Sequence, residues 1–325
     1  MIISRTPLRI SFAGGGTDIG SFYRKEGGAV TSTAINRYMY ITVNKKFDTA
    51  MRISYSKTEN VEKVEEIQHP LVREALKLTG ITKGIEITSM ADVPAQTGLG
   101  SSSAFTVGLL NALYAYKGEF KPPKLLAEQA CHIEIELCNE PIGKQDQYIA
   151  AYGGIQHIQF NRDETVFVDP VICSPETKKA LEEGMMLLFT GVTRPSSAIL
   201  TEQKKHMEES DKIEAMNAMK KQAALASEAL TKGDMEQFGK LLNEGWMLKR
   251  QLAGGITSPD IDAYYEKAIK AGALGGKVLG AGGGGFLLFY CPPQKQDGVR
   301  RALSSLKETT VALEPQGTKI IYVSD

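Results

Sequence analysis

Residues 94–105 read PAQTGLGSSSAF, and small and apolar residues then continue to Gly118. Glycine reaches positive φ without steric penalty and lets backbone N–H groups approach a bound group, so Gly98 and Gly100 mark a special turn. The run after them has helical character, which puts Ser101, Ser102 and Ser103 at a helix N-terminus as capping or first-turn residues. The first N–H groups of a helix lack partners inside it, and the helix dipole adds partial positive charge there. Such a turn either holds an anion, a phosphate above all, or is an ordinary capped turn. The chain contains no GxxxxGK[ST], so the commonest phosphate loop is excluded. A serine nucleophile elbow is disfavoured, because Ala104 stands where GxSxG needs glycine and the chain has only 4 histidines.

Around this segment, α and β signals alternate. Residues 8–12, 38–47 and 85–90 have the alternating or β-branched character of strands, whereas 60–80 and 124–140 carry apolar residues at helical spacing. GMMLLFTGV, 184–192, reads as a buried strand. From residue 196 to about 253 the pattern is helical, and the methionines at 207, 216, 219, 235 and 247 read as core filler. The end of the chain returns to strand, helix and strand in KVLGAGGGGFLLFYC, QDGVRRALSSL and TKIIYVSD. The change of character near residue 180 divides the chain into two expected domains, 1–180 and 181–325.

The charge balance narrows the partners. Lys plus Arg and Asp plus Glu each number 38, so no field of one sign favours nucleic acid or a membrane surface, and a small ligand fits better. Cys131, Cys138, Cys173 and Cys291 form no CxxC pair and are too sparse for a disulfide framework, so they read as reduced packing residues. The first residues lack the apolar core of a signal peptide, and no stretch approaches the roughly 18 apolar residues of a membrane span. A cytoplasmic location is the expectation.

Two further glycine clusters and two carboxylates complete the set of candidates. PLRISFAGGGTD, 7–18, is one cluster; LGAGGGGF, 279–286, is the other. The second formally matches GxGxxG, but FLLFY follows it where a dinucleotide site needs a helix, so a glycine-rich hairpin is the better reading. Asp146 lies in PIGKQDQYIAAYGG, a Gly-flanked, otherwise neutral loop, between Gln145 and Gln147. There it can orient a hydroxyl nucleophile or simply cap the loop. Glu134, on the preceding helix, can hold Mg²⁺ or belong to a solvated helix face.

PAQTGLGSSSA resembles, at every fixed position, the phosphate-binding motif P-x-x-x-G-L-G-S-S-x-A of the GHMP kinases, named for galactokinase, homoserine kinase, mevalonate kinase and phosphomevalonate kinase. PLRISFAGGGTD is similar to the family's amino-terminal motif and LGAGGGGF to its carboxy-terminal one, in the same order along the chain. The resemblance implies an α+β fold. An amino-terminal α/β domain of the ribosomal protein S5 domain 2-like type with a left-handed crossover would be followed by a carboxy-terminal ferredoxin-like domain, with the active site between them. It implies that Pro94, Thr97, Gly98, Leu99, Gly100, Ser101, Ser102 and Ser103 bind ATP, and that Ser102 and Glu134 bind Mg²⁺. Asp146 would be the catalytic aspartate and Arg9 the arginine beside the transferring phosphoryl group. The partners implied are ATP and a small sugar substrate, and a homodimer is compatible with the resemblance.

Galactokinases read G-E-H-T-D where this chain has Gly14-Gly15-Gly16-Thr17-Asp18, a departure that argues against galactose. AGGGTD and GKQDQYIAAYGG are instead similar to the branch that phosphorylates the anomeric oxygen of D-glycero-D-manno-heptose 7-phosphate. A fucose- or galactose-like sugar 1-kinase, or a mevalonate-type kinase, is the alternative. On this reading Gly15, Gly16, Thr17, Asp18 and Gln145 contact the sugar. A phosphorylated sugar needs a cation at the far end of its site; Arg194, in TGVTRPSSAIL with Ser196 and Ser197, is either that cation or a surface residue.

Overall fold

A computed structural model describes residues 1–193, 199–202 and 209–324. The amino-terminal half is built on a long antiparallel pair, β1 (Ile2–Ala13) and β2 (Gly28–Lys45), joined through α1 (Gly20–Glu26). β3 (Met51–Ser54), β4 (Thr58–Val61), α2 (Pro70–Thr79) and β5 (Ile85–Ala91) follow. The sequence pattern predicts one helix over 60–80, but the helix starts only at Pro70, whose fixed φ suits a first turn. The residues before it form part of β4 and a short 3-10 turn, Val64–Glu66. β3 and β5 pair in parallel across α2, and β5 pairs antiparallel with β2.

α3 (Ser101–Tyr116), α4 (Pro123–Cys131), α5 (Gln145–Tyr152) and the hairpin of β6 (Ile155–Phe160) with β7 (Val166–Pro170) complete this half. α3 is apolar around most of its circumference because it is wedged between β1 and β2 on one side and α2, α4 and α5 on the other. Gly108 allows that approach: a Cβ there would lie 2.5 Å from Thr6 Oγ1. The helix expected over 124–140 ends as α4 at Cys131 and continues as a π-helical turn, His132–Leu137.

α6 (Pro175–Gly184), β8 (Met185–Phe189), α7 (Ser210–Lys232), α8 (Met235–Lys249), α9 (Pro259–Ala271), β9 (Gly275–Val278), β10 (Phe286–Tyr290), α10 (Pro293–Ala302) and β11 (Lys307–Thr309) follow. Gly233, at φ 73°, ends α7, and the Asp234 side chain caps α8 by accepting from Gln237 N, so the expected long helical region is divided. The second sheet has the order β11-β8-β10-β9 with antiparallel pairing throughout. Numbered within the unit this is 4-1-3-2, the ferredoxin-like arrangement.

β10 shows why FLLFY is continuously apolar. Phe286, Leu288 and Tyr290 join the large core shared with the first sheet, whereas Leu287 and Phe289 join a second core around Trp246 and Tyr265. Both faces of the strand are covered, so alternation with polar residues is lost. α7 packs on β1, β2 and β6, and α8 on β1 and β9, so these helices lie between the two sheets. β12 (Lys319–Val323) returns to the first sheet as the antiparallel neighbour of β1. Among the described residues, no helix is long and apolar enough to cross a membrane.

Candidate functional site

The glycine hairpin between β9 and β10 docks on the loop that precedes α3. Gly98 has φ 83°, and a Cβ there would lie 2.4 Å from Leu279 O; a Cβ on Gly280 would lie 2.6 Å from Gly98 Cα. Phe286 N donates to Thr97 O at 3.2 Å. The two backbones therefore touch where neither could carry a side chain, and the contact fixes the loop against the second sheet. Gly100, at φ 74°, is the N-cap of α3. Among the described residues no side chain caps this helix end, so of the two expected roles Ser101, Ser102 and Ser103 take that of first-turn residues. The opening beside it is a cavity of about 350 Å³, lined in part by Gly98, Gly100, Ser101, Ser102 and Ser103.

Arg9 and Asp146 meet beneath Gly100. Arg9 Nε donates to Asp146 Oδ1 at 2.7 Å and its Nη2 to Oδ2 at 2.8 Å, while Nη1 donates to Gly98 O. A planar guanidinium matched to both carboxylate oxygens is the geometrically most specific ion pair available to side chains. Asp146 is in the first turn of α5 rather than in a loop, because the residues from Gln145 onward are helical. Asp18 sets where that helix begins. Its Oδ2 accepts from Gln145 N at 3.1 Å, and its Oδ1 accepts from Gly16 N at 2.9 Å and from Gln145 Nε2 at 3.3 Å. Gly143 leaves room for this carboxyl, since a Cβ there would lie 1.9 Å from Asp18 Oδ2. Burial pushes the Asp18 carboxyl above its ordinary pKa against the lowering effect of these bonds.

Glu134 lies behind the serines, on the π-helical turn, and is not on a solvated helix face. Its carboxylate accepts from Ser102 at 3.3 Å, Ser103 at 2.8 Å, Thr106 at 2.9 Å and Gln147 Nε2. Desolvation outweighs these bonds and lifts its pKa to about 7. Ser103 is thereby occupied and buried; Ser102 is exposed beside the cavity.

The other expected site residues divide. Gly15, Gly16, Asp18 and Gln145 line the cavity. Thr17 is fully buried under its own loop, with its hydroxyl donating to Gly14 O and Ala29 O. Leu99 is in the apolar core, Thr97 is buried with its hydroxyl on Pro94 O, and Pro94 is exposed and not part of the cavity lining. These four shape loops rather than the cavity wall. Arg194 lies outside the described residues, as do Ser196 and Ser197.

Ser11, Lys249 and Lys277 are among the wall residues that escape the sequence reading. Ser11 is two residues after Arg9 on β1, which places both on one face, and its buried hydroxyl has no hydrogen-bond partner among the described residues. Lys249 ends α8 three residues after the fully buried Trp246, so helical spacing alone could have placed it on the inner face. Lys277 interrupts the buried strand GGKV. Burial pulls the Lys249 ammonium down to about 8, and burial together with Lys249 and Arg9 holds Lys277 well below its ordinary value.

Known proteins resemble the chain over both of its halves. Two family profiles match, "GHMP kinases N terminal domain" over residues 64–154 and "GHMP kinases C terminal" over residues 226–308. D-glycero-alpha-D-manno-heptose 7-phosphate kinase of Campylobacter jejuni is 31% identical over 318 residues, 93% of each chain. The L-fucokinase/L-fucose-1-P guanylyltransferase of Bacteroides fragilis is 28% identical over 94% of this chain and 36% of its own. The crystal structure of a D-glycero-D-manno-heptose 1-phosphate kinase from Bacteroides thetaiotaomicron superposes with a TM-score of 0.83 at 26% identity, covering 100% of both chains. With its three glycine segments converging on one cleft and both halves matched, the chain belongs to the GHMP kinase family.

Proposed function

We propose that the protein is an ATP-dependent kinase that phosphorylates the anomeric hydroxyl of a sugar phosphate, D-glycero-D-manno-heptose 7-phosphate, to give the 1,7-bisphosphate. The observation that carries the reading is the Arg9–Asp146 pair set directly under Gly100, where a hydroxyl and a phosphate on the α3 N-terminus would meet. The heptose enters from the relatives' substrates and from the absence of acidic and imidazole side chains at Gly15 and Gly16.

In this reading residues 1–180 form the ATP-binding unit and 181–325 the second unit, whose glycine hairpin supports the phosphate loop. The N–H groups after Gly98 and Gly100 hold the ATP phosphates. Ser102 and Glu134, hard oxygen donors 3.3 Å apart, are the residues that would hold Mg²⁺. When bound, the ion neutralises charge on the phosphates. Asp146 orients the anomeric hydroxyl. As that oxygen bonds to the γ-phosphorus and the bond from phosphorus to the β,γ-bridging oxygen breaks, Asp146 accepts the hydroxyl proton. The transition state is loose, so the protein mainly positions groups and neutralises charge. A cation about 4 Å from the phosphoryl oxygens at an effective dielectric near 20 contributes about 4 kcal/mol, the scale available to Arg9.

The test is ADP release, followed by a coupled assay, over heptose 7-phosphate, mannose 6-phosphate, fucose, galactose and mevalonate. Heptose 7-phosphate is expected to be turned over with the highest kcat/KM. Turnover of mevalonate alone would overturn the sugar reading.

A further inference from the structure

Lys249 and Lys277 face the cavity from the second unit, where Asp18 and Asp146 are their nearby carboxylates but form no ion pair with them among the described residues. They are 6% and 5% exposed. Each ammonium carries three donors, yet among the described residues Lys277 Nζ has one acceptor, Phe12 O at 3.2 Å, and Lys249 Nζ has one, Gly280 O. Among the described residues neither forms an ion pair, although buried lysines are almost always paired. Both residues line the same cavity. Two adjacent, preorganised cations with spare donors are a receptor for a dianion.

Position decides which dianion. Lys277 is anchored to the strand that runs directly into the Gly14–Asp18 loop, and its charged neighbours are Lys249, Arg9 and Asp18. Those of Lys249 are Arg9, Asp18 and Asp146. The pair thus borders Asp18, on the acceptor side, whereas the ATP phosphates have the α3 N-terminus and Ser102 for themselves. The other cations near Asp18 are engaged: Arg24 Nε and Lys144 Nζ each donate to Glu164 at 2.5 Å.

We propose that Lys249 and Lys277 together bind the acceptor's own phosphate monoester, and so make the enzyme select phosphorylated over unphosphorylated sugars. The inference rests on the sugar-phosphate kinase reading. It places the phosphate-binding cations on α8 and β9 without needing Arg194. The depressed basicity of both lysines fits such a site, since an arriving dianion restores the charge that burial disfavours.

Lys249→Met and Lys277→Met keep the side-chain volume and remove the charge, so their thermal midpoints are expected to equal or exceed the parent's. Calorimetric titration with heptose 7-phosphate, without ATP, should show binding weakened about 10- to 100-fold in each variant, the range of one lost charge-assisted contact. In turnover, the ratio of kcat/KM for heptose 7-phosphate to that for unphosphorylated heptose should fall by a similar factor, with the effect in the sugar-phosphate KM. Binding of heptose 7-phosphate as tight as in the parent would overturn the proposal. So would an effect confined to the ATP KM, which would assign the lysines to the nucleotide. If the parent phosphorylates no sugar but the variants still lose heptose 7-phosphate binding, the lysine site stands and the kinase reading is what fails.

Discussion

Replacing Asp146 by asparagine separates the two tasks the site demands of this residue. The carboxylate is held by two N–H groups of Arg9, at 2.7 and 2.8 Å, in a pair whose side chains are 6% and 22% exposed. Asparagine keeps one acceptor oxygen, but its NH₂ then faces a guanidinium N–H, so one of the two bonds is lost. Loss of a charge-assisted hydrogen bond costs about 1.5–3 kcal/mol, and the partial exposure of Asp146 argues for the lower half of that range. Urea unfolding should therefore show a modest loss of stability with an unchanged m-value. Catalysis should suffer far more. Removing a positioned proton acceptor costs about 10²–10⁴ in kcat, or about 3–5 kcal/mol of barrier. The ATP KM should stay level or fall, because a negative charge near the phosphates has been removed. An Asp146→Asn enzyme with native-like kcat and only the stability loss would refute the reasoning, since Asp146 would then do no more than hold Arg9. An Arg9→Gln, Asp146→Asn double variant gives the coupling: if each single variant costs as much in kcat as the double, the two act as a unit.

Gly98→Ala puts a methyl 2.4 Å from Leu279 O at φ 83°, and should lower the thermal midpoint and raise the ATP KM; the αL strain alone is about 1–2 kcal/mol. Gly143→Ala drives a Cβ into the Asp18 carboxyl and should cut kcat at least tenfold, while far-UV circular dichroism stays that of the parent. Glu134, with its pKa lifted from 4.5 to about 7, contributes stability that is complete below pH 4.5 and lost as pH rises through 7. In chelator the Glu134→Gln variant should lack that part of the profile, about 3 kcal/mol between pH 4.5 and 7.5, and in turnover it should need more Mg²⁺; matching profiles in denaturant titrations would contradict it.

Much of the fold was legible because its signals are local. The helix over 101–116, the glycine hairpin before FLLFY and the strands around residues 8–12 and 85–90 follow from dihedral preference and apolar spacing within a few residues. Where the reading slipped, a local stop signal had competed with a longer pattern: Pro70 starts a helix inside an apolar run, and Gly233 with Asp234 divides another. The site was legible where chemistry is carried by a contiguous motif, as at Gly98–Ser103. Thr17, Leu99 and Thr97 lie in such motifs, but tertiary packing turns their side chains to holding loops.

The sequence by itself determines that a positive-φ glycine turn must feed a helix N-terminus at Gly100, because Gly98, Gly100 and the apolar run after them leave few other conformations. Only the tertiary structure decides that Asp18 starts the helix carrying Asp146, that Glu134 sits buried behind Ser102, and that Lys249 and Lys277 line the same cavity. The hydrogen bonds behind these relations join residues 32 to 265 positions apart, counting the Lys277 bond to Phe12. Dihedral preference and spacing act over a few residues, whereas burial of a charge depends on which layer docks over it. The sandwiching of α7 and α8 between two sheets is what turns scattered charged residues into one site.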